Sequence, residues 1–223
     1  MTQTVRALGF ALFMSAMGYL GWWWLQLPNA PHAALWPAAL LDTMLFSAFA
    51  VHHSVLARPF ARRGVERVLP AGLVRSAYVW VASILQLTVC VGWQPVGRTL
   101  YHATGVAAFG AGLLQVLGVL LGVLAVRRIS VRELGGLVPA HPSDTVEATG
   151  PYRLVRHPIY LAVVLLLFGT AHMTGDRLLF ASLCTLYIIV AMPFEEAGLE
   201  AQFGARYVEY RRVVRWRLIP YII

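Results

Sequence analysis

The stretch Gly150–Gly169, GPYRLVRHPIYLAVVLLLFG, decides the fold. Polar and turn-forming residues, Arg153 and Arg156 among them, lead straight into an apolar run opened by Arg156-His157-Pro158. Pro158 suits the first turn of a helix, where its missing N–H costs nothing. The run after it gives roughly 22 Å of helix at about 1.5 Å per residue, short of a hydrocarbon core of about 30 Å. The helix start, with Arg156 and His157, is therefore drawn toward a membrane boundary.

The rest of the chain supports the membrane reading. Charged residues make up 13% of the 223, about half the share usual in soluble domains, and the mean hydropathy is +0.67. Continuous apolar runs exclude the alternation a membrane β-barrel needs. Six spans are expected: Val5–Leu27, Pro37–Ala57, Val74–Gln94, Ala103–Val126, Pro158–His172 and Leu178–Met192. The first is too long for the apolar part of a signal peptide, and Trp22-Trp23-Trp24 reads as an interfacial anchor.

The net charge is +8 without a single lysine. A basic chain can signal nucleic acid, but these arginines lie in the loops, which makes topology the simpler cause. With the N-terminus inside, Arg6, the group from Arg58 to Arg75, the group from Arg127 to Arg156 and the group from Arg206 to Arg217 all fall inside. Only Arg98 and Arg177 fall outside. Such a bias predicts both termini in the cytoplasm, with a bacterial inner membrane as the host. Cys90 and Cys184 sit in apolar runs and read as small hydrophobes, giving no metal or disulfide signal. Gly118 and Gly122 form a GxxxG, read as ordinary close packing. Gly135-Gly136, Pro139, Pro142 and Gly150-Pro151 make residues 127–157 a folded loop rather than a helix.

Two clusters carry chemistry. A helix N-terminus attracts anions, and Arg156 strengthens that site; the bland alternative is that Arg156 reaches lipid headgroups while His157 caps the helix. Past the sixth span stand Glu195 and Glu196, in a chain holding only 10 acidic residues. A short turn between the last two spans makes them an antiparallel hairpin that returns both glutamates to the face of Arg156 and His157. The alternative there is a structural Arg–Glu pair closing the hairpin base. Leu199, Phe203, Tyr207 and Tyr210 follow at helical spacing, with a break at Gly204, and would pack a roof over the helix ends. Intramembrane ionisable groups are functional candidates, but His52-His53 lies near the cytoplasmic end of the second span, where an interfacial or helix-capping role is the alternative. Asp42, His102, His141 and His172 have no partner that the sequence identifies.

The pattern Gly150-x-Tyr152-x-x-x-Arg156-His157-Pro158-x-Tyr160, with Glu195-Glu196-x-x-Leu199-x-x-x-Phe203-Gly204-x-x-Tyr207-x-x-Tyr210 and Pro220, resembles the membrane methyltransferases related to isoprenylcysteine carboxyl methyltransferase and the phospholipid methyltransferases. The resemblance covers about residues 147–221. More loosely, His53-Ser54, Arg75-Ser76-x-Tyr78-Val79 and Trp93-Gln94-Pro95 resemble the NnrU-type and methanethiol methyltransferase branches. It implies S-adenosylmethionine as cofactor, held by Tyr152, Arg156, His157, Tyr160, Glu195 and Glu196. Arg156 and Glu196 are the catalytic candidates, and His53, Tyr207 and Tyr210 the substrate-side ones. Neither metal nor nucleic acid is implied. The acceptor would be a lipophilic or small thiol, carboxylate or amine, with a tilt toward a thiol, in contact with membrane lipid; oligomeric state is not readable. A sterol-reductase-like enzyme using NADPH resembles the chain less well, and a non-catalytic NnrU-like accessory protein is the third reading. The expected fold is an all-α polytopic membrane bundle of about six helices, ending in a helical hairpin and a cytoplasmic amphipathic tail. It is expected as a single domain, with a four-helix part at 1–126 and the cofactor-binding loop, hairpin and tail at 127–223.

Overall fold

The computed structural model describes residues 2–27, 35–56, 59–138 and 145–222. Its regular structure is helical apart from two short strands. Five helices are long and apolar enough to cross a membrane: α1 (Thr2–Gln26), α2 (Leu35–Val55), α4 (Ala71–Gly92), α5 (Gly105–Val126) and α8 (Gly175–Phe203). The shorter elements are α3 (Pro59–Glu66), α6 (Val131–Leu134), a 3₁₀ turn (Gly150–Arg153), α7 (Pro158–Phe168) and α9 (Ala205–Val213), with strands β1 (Thr99–His102) and β2 (His172–Thr174). The chain is an all-α polytopic membrane protein. On α5 the large apolar side chains Val106, Phe109, Leu113, Val116, Leu120 and Val123 are all exposed, as a helix facing lipid requires.

The first four expected spans correspond to α1, α2, α4 and α5. Ala57, Arg58, Pro139, His141 and Pro142 lie outside the described residues. The last two spans differ from expectation. Helix α7 has only 11 residues and stops at Phe168. Gly169 follows, and the chain then extends into β2, which pairs with β1. The strand pair gives the backbone that leaves α7 its hydrogen-bond partners. Helix α8 runs for 29 residues, straight through Pro193. At about 1.5 Å per residue it reaches roughly 43 Å, so its polar last turns project beyond the core, where the sequence had suggested an end at Met192. The stretch 127–157, expected to be loop, contains α6 and the 3₁₀ turn.

Contacts divide the chain into two compact units: residues 1–98, 131–141 and 174–179, and residues 99–130, 142–173 and 180–223. In the first, α4 packs against α1, α2 and α3. Polar bonds fix this packing where lipid offers none. Gln86 donates to the Ala16 carbonyl at 3.2 Å, and Arg6 to that of Gly72 at 2.6 and 2.9 Å. The buried carboxylates Asp42 and Asp176 hold the turn after α4: Gln94 N–H reaches Asp42 at 2.8 Å, while Val96 N–H and the Trp93 indole reach Asp176 at 2.8 and 3.0 Å. Asp42 thus has a backbone partner that its sequence surroundings did not reveal.

In the second unit α5 packs along α7. A Cβ on Gly118 would lie 3.0 Å from the Ala162 carbonyl and 3.1 Å from Leu166 N, so the GxxxG does serve close packing. Gln115 donates to the Leu166 carbonyl at 3.2 Å, occupying one of the acceptors that a helix end leaves unpaired. Ile188 and Met192 of α8 form a core with Leu218, against which Tyr160, Leu161 and Val164 of α7 pack. His102 and His172 stack across the strand pair, with ring centroids 4.8 Å apart.

Candidate active site

The site is assembled within the second unit, at the start of α7. Pro158 occupies the first turn of α7, as its sequence position required. Glycine suits the entry: Gly150 opens the 3₁₀ turn at φ +55°, a conformation side chains disfavour. Tyr152 on that turn accepts a hydrogen bond at its carbonyl from the Tyr210 hydroxyl, 2.8 Å away. The His157 side chain does not cap α7; it turns to the glutamates.

Arg156 and Glu196 form a buried pair, with Nε 2.7 Å from Oε1 and side chains 5% and 3% exposed. His157 Nε2 lies 3.2 Å from the same oxygen. Arg217 Nε lies 3.2 Å from the other one. Both oxygens of Glu196 are thus engaged. Arg156 also donates through one terminal nitrogen to the carbonyls of Val214 and Arg215, at 2.9 and 2.7 Å. The backbone N–H groups of Arg156 and His157 donate to the carbonyls of Trp216 and Arg217, both at 2.9 Å. The tail from Val214 to Leu218 is consequently strapped across the mouth of α7.

Glu195, one residue earlier, is 45% exposed. Its Oε2 accepts from the Tyr160 hydroxyl at 2.7 Å and lies 3.7 Å from His157 Nδ1. Its other oxygen has no hydrogen bond among the described residues. The His157 and Tyr160 rings stack at 5.3 Å, so the two side chains present one flat edge beside that carboxylate.

Helix α9 starts after Gly204, at φ +57°, and turns Tyr207 and Tyr210 inward with Val214. Leu199, Phe203 and Val146 pack against them. The Tyr207 hydroxyl is buried without a hydrogen-bond partner among the described residues. Burial, reinforced by the negative charge of Glu196, pushes its phenol up to about 12, so it remains an O–H donor at neutral pH. Tyr152 is likewise pushed up to about 12, by burial and then by Glu147 and Glu195. A cleft of about 740 Å³ runs between residues 145–148 and α9, lined by Val146, Arg153, Arg206, Glu209, Tyr210 and Val214. That volume is in the range of ligand pockets, about 300–1,000 Å³.

The structure therefore brings Tyr152, Arg156, His157, Tyr160, Glu195, Glu196, Tyr207 and Tyr210 into one unit. His53 belongs to the other, where it packs against Phe49 and Tyr78, and Arg75 lies over the Tyr78 ring. Sequence reading missed Arg217 and the tail carbonyls. No local pattern marks a carbonyl as an acceptor, and Arg217 looked like one more basic residue of the tail.

Comparison with known proteins supplies the family to which this fold belongs. The phospholipid methyltransferase family matches residues 106–206. The chain is 34% identical to methanethiol S-methyltransferase 2 of Bradyrhizobium diazoefficiens, over 91% of this chain and 82% of that protein. It is 34% identical to the methanethiol S-methyltransferase of Pseudomonas deceptionensis, over 81% and 73%, and 33% to that of Crocosphaera subtropica, over 93% and 85%. No solved structure matches. The protein is a membrane methyltransferase. It belongs to the same family as these enzymes.

Proposed function

We propose that the chain methylates a small thiol, of the kind its relatives' names specify, using S-adenosylmethionine at the arginine-rich face of the membrane. The observation that carries this is the half-exposed carboxylate of Glu195 beside the His157–Tyr160 edge, in a chain 34% identical to methanethiol S-methyltransferases. The residues fit that cofactor. Glu195 offers a half-exposed carboxylate for its ammonium, Tyr160 stands beside it, and the Tyr207 hydroxyl, unpartnered among the described residues, suits an anionic oxygen or sulfur. The cleft at α9 combines Val146, Val214 and the Tyr210 ring with the charged groups of Arg153, Arg206 and Glu209, which suits a nucleoside with polar edges. S-adenosylmethionine supplies an electrophilic methyl group when bound.

The protein's own contribution is orientation and exclusion of water, the main levers when two reactants need only be held in line. A thiol ionises near 8.5, so its sulfur must lose a proton as the carbon–sulfur bond forms. Glu196 is engaged at both oxygens and Glu195 is given to the cofactor's ammonium, so the thiol proton is released to water. Arg156 and Glu196, adjoining the ligand groups, keep this constellation together. His53 remains a substrate-side candidate on its own unit. The arginine-rich face is taken as cytoplasmic, in a bacterial inner membrane, where the cofactor is supplied.

The test is calorimetric binding of S-adenosylhomocysteine to the detergent-purified protein, followed by headspace assay of dimethyl sulfide from methanethiol. Saturable binding with sulfide production establishes the reading. Binding without sulfide rejects the thiol, and no binding rejects the cofactor.

A further inference from the structure

Arg156 is the most conspicuous candidate to touch a ligand, yet its geometry directs it inward. Two of its three guanidinium nitrogens are committed, one to Glu196 and one to the carbonyls of Val214 and Arg215. A planar fork can satisfy a carboxylate and two carbonyls at once; a lysine cannot. The backbone at Arg156 and His157 adds two more bonds to the same tail, and Arg217 closes the far side of Glu196. Val214, whose carbonyl Arg156 holds, is also a wall of the cleft at α9 and packs with Tyr207 and Tyr210. Leu218, at the other end, is plugged between Ile188 and Met192.

We propose that the strap 214–218 sets the shape of the cleft through Val214, its one lining residue, and that Arg156 and Glu196 are positioning residues that act on the ligand through this strap, while Glu195 and Tyr160 make the contacts. This rests on the cofactor reading above for its ligand, but not for its mechanics. The knot is buried and charge-assisted, so its bonds are short and among the stronger ones available. Loosening it releases Val214 and with it the inward placement of Tyr210. The ligand then meets a wider cleft, although none of its own contacts has been removed.

The experiment combines two readings on the full-length protein in detergent: hydrogen exchange of the 214–218 backbone without ligand, and calorimetric affinity for S-adenosylhomocysteine. Three variants are compared. Arg156→Lys keeps the charge but loses the fork. Leu218→Ala loosens the strap from its apolar end without altering a charged side chain. Tyr160→Phe removes the hydroxyl that bonds Glu195 and keeps the ring that packs against the Leu218 cluster. The expectation is that Arg156→Lys and Leu218→Ala both speed strap exchange and both weaken the ligand about tenfold, a change worth about 1.4 kcal/mol. Because both act through one element, the double variant should be no weaker than the weaker single one. Tyr160→Phe should weaken binding with strap exchange unchanged.

The proposal is overturned if Arg156→Lys weakens binding while exchange stays as in the parent, which would make Arg156 a direct contact. It is equally overturned if Leu218→Ala frees the strap and affinity does not move. If the parent protein binds no S-adenosylhomocysteine, the cofactor reading fails by itself. The exchange data then decide the latch: unchanged exchange in Arg156→Lys rejects it.

Discussion

Glu195 and Glu196 are neighbours in sequence and opposites in environment: Glu196 is 3% exposed and takes Arg156, His157 and Arg217, while Glu195 is 45% exposed and takes Tyr160 at one oxygen. A helix turns about 100° between consecutive residues, so on α8 one glutamate faces the interior and the other the half-exposed side beside Tyr160. A pair that reads as a repeat in the sequence thus divides into an interior anchor and an accessible ligand group.

The division predicts different consequences for the same chemical change. Glu196→Gln leaves Arg156 without its buried counter-charge and should cost about 3–5 kcal/mol, the usual penalty for breaking a buried pair, read as a drop in thermal midpoint in detergent. Glu195→Gln should leave the midpoint within about 0.5 kcal/mol of the parent, as surface changes usually do, and should act on ligand affinity. Equal losses of stability in both variants would refute the division.

The phenols of Tyr152 and Tyr207 titrate near 12 in the folded protein, against about 10 for an exposed tyrosine. Between those values the unfolded chain has already released protons that the folded chain retains, so stability falls as pH rises. Alkaline loss of structure is expected between about pH 10 and 12, with phenolate absorbance from these residues rising together with it. Full ionisation of all the tyrosines near pH 10 with the fold intact would contradict this.

Gly118 and Gly112 lie on the same helix, α5, but face different surroundings. Gly118→Ala places a methyl against the backbone of α7 and should cost about 1–3 kcal/mol, typical of overpacking. Gly112 has nothing within 4 Å of an added Cβ, so Gly112→Ala should be neutral or gain up to about 1 kcal/mol of helix propensity. Thermal unfolding in one detergent compares them directly.

The orientation of the chain is testable by labelling. In a background lacking Cys90 and Cys184, a cysteine replacing Thr99 should react with a membrane-impermeant maleimide in intact cells. One replacing Arg211 should react only after lysis. The reverse pattern would invert the topology.

The helical membrane fold was legible because lipid leaves few options: long apolar runs and arginine placement report it directly. Arg156, His157 and the two glutamates were legible as a convergence of opposite charge on one helix mouth, since the hairpin geometry follows from a short turn. What could not be read was the division of labour among them. The alternative of an Arg–Glu pair at the hairpin base describes the Arg156–Glu196 contact well, and the sequence offered no way to see that Val214 and Arg215 carbonyls share the same guanidinium. The lengths of α7 and α8 also escaped. Gly169 ends one helix and Pro193 fails to end the other, because a proline removes one backbone donor but leaves the flanking turns of α8 intact.

The brevity of α7 bears on how the chain is made. Eleven apolar residues are too few to enter a bilayer as an independent span, for which about 20 are needed. By the time α7 is synthesised, however, α5 already exists, with the Gly118 groove that admits the Ala162 backbone and the Gln115 amide that meets the Leu166 carbonyl. The order of synthesis thus supplies the receiving surface before the segment that needs it. Damage to that groove should surface first as failed membrane integration of the nascent chain, before any defect in the catalysis of a finished enzyme.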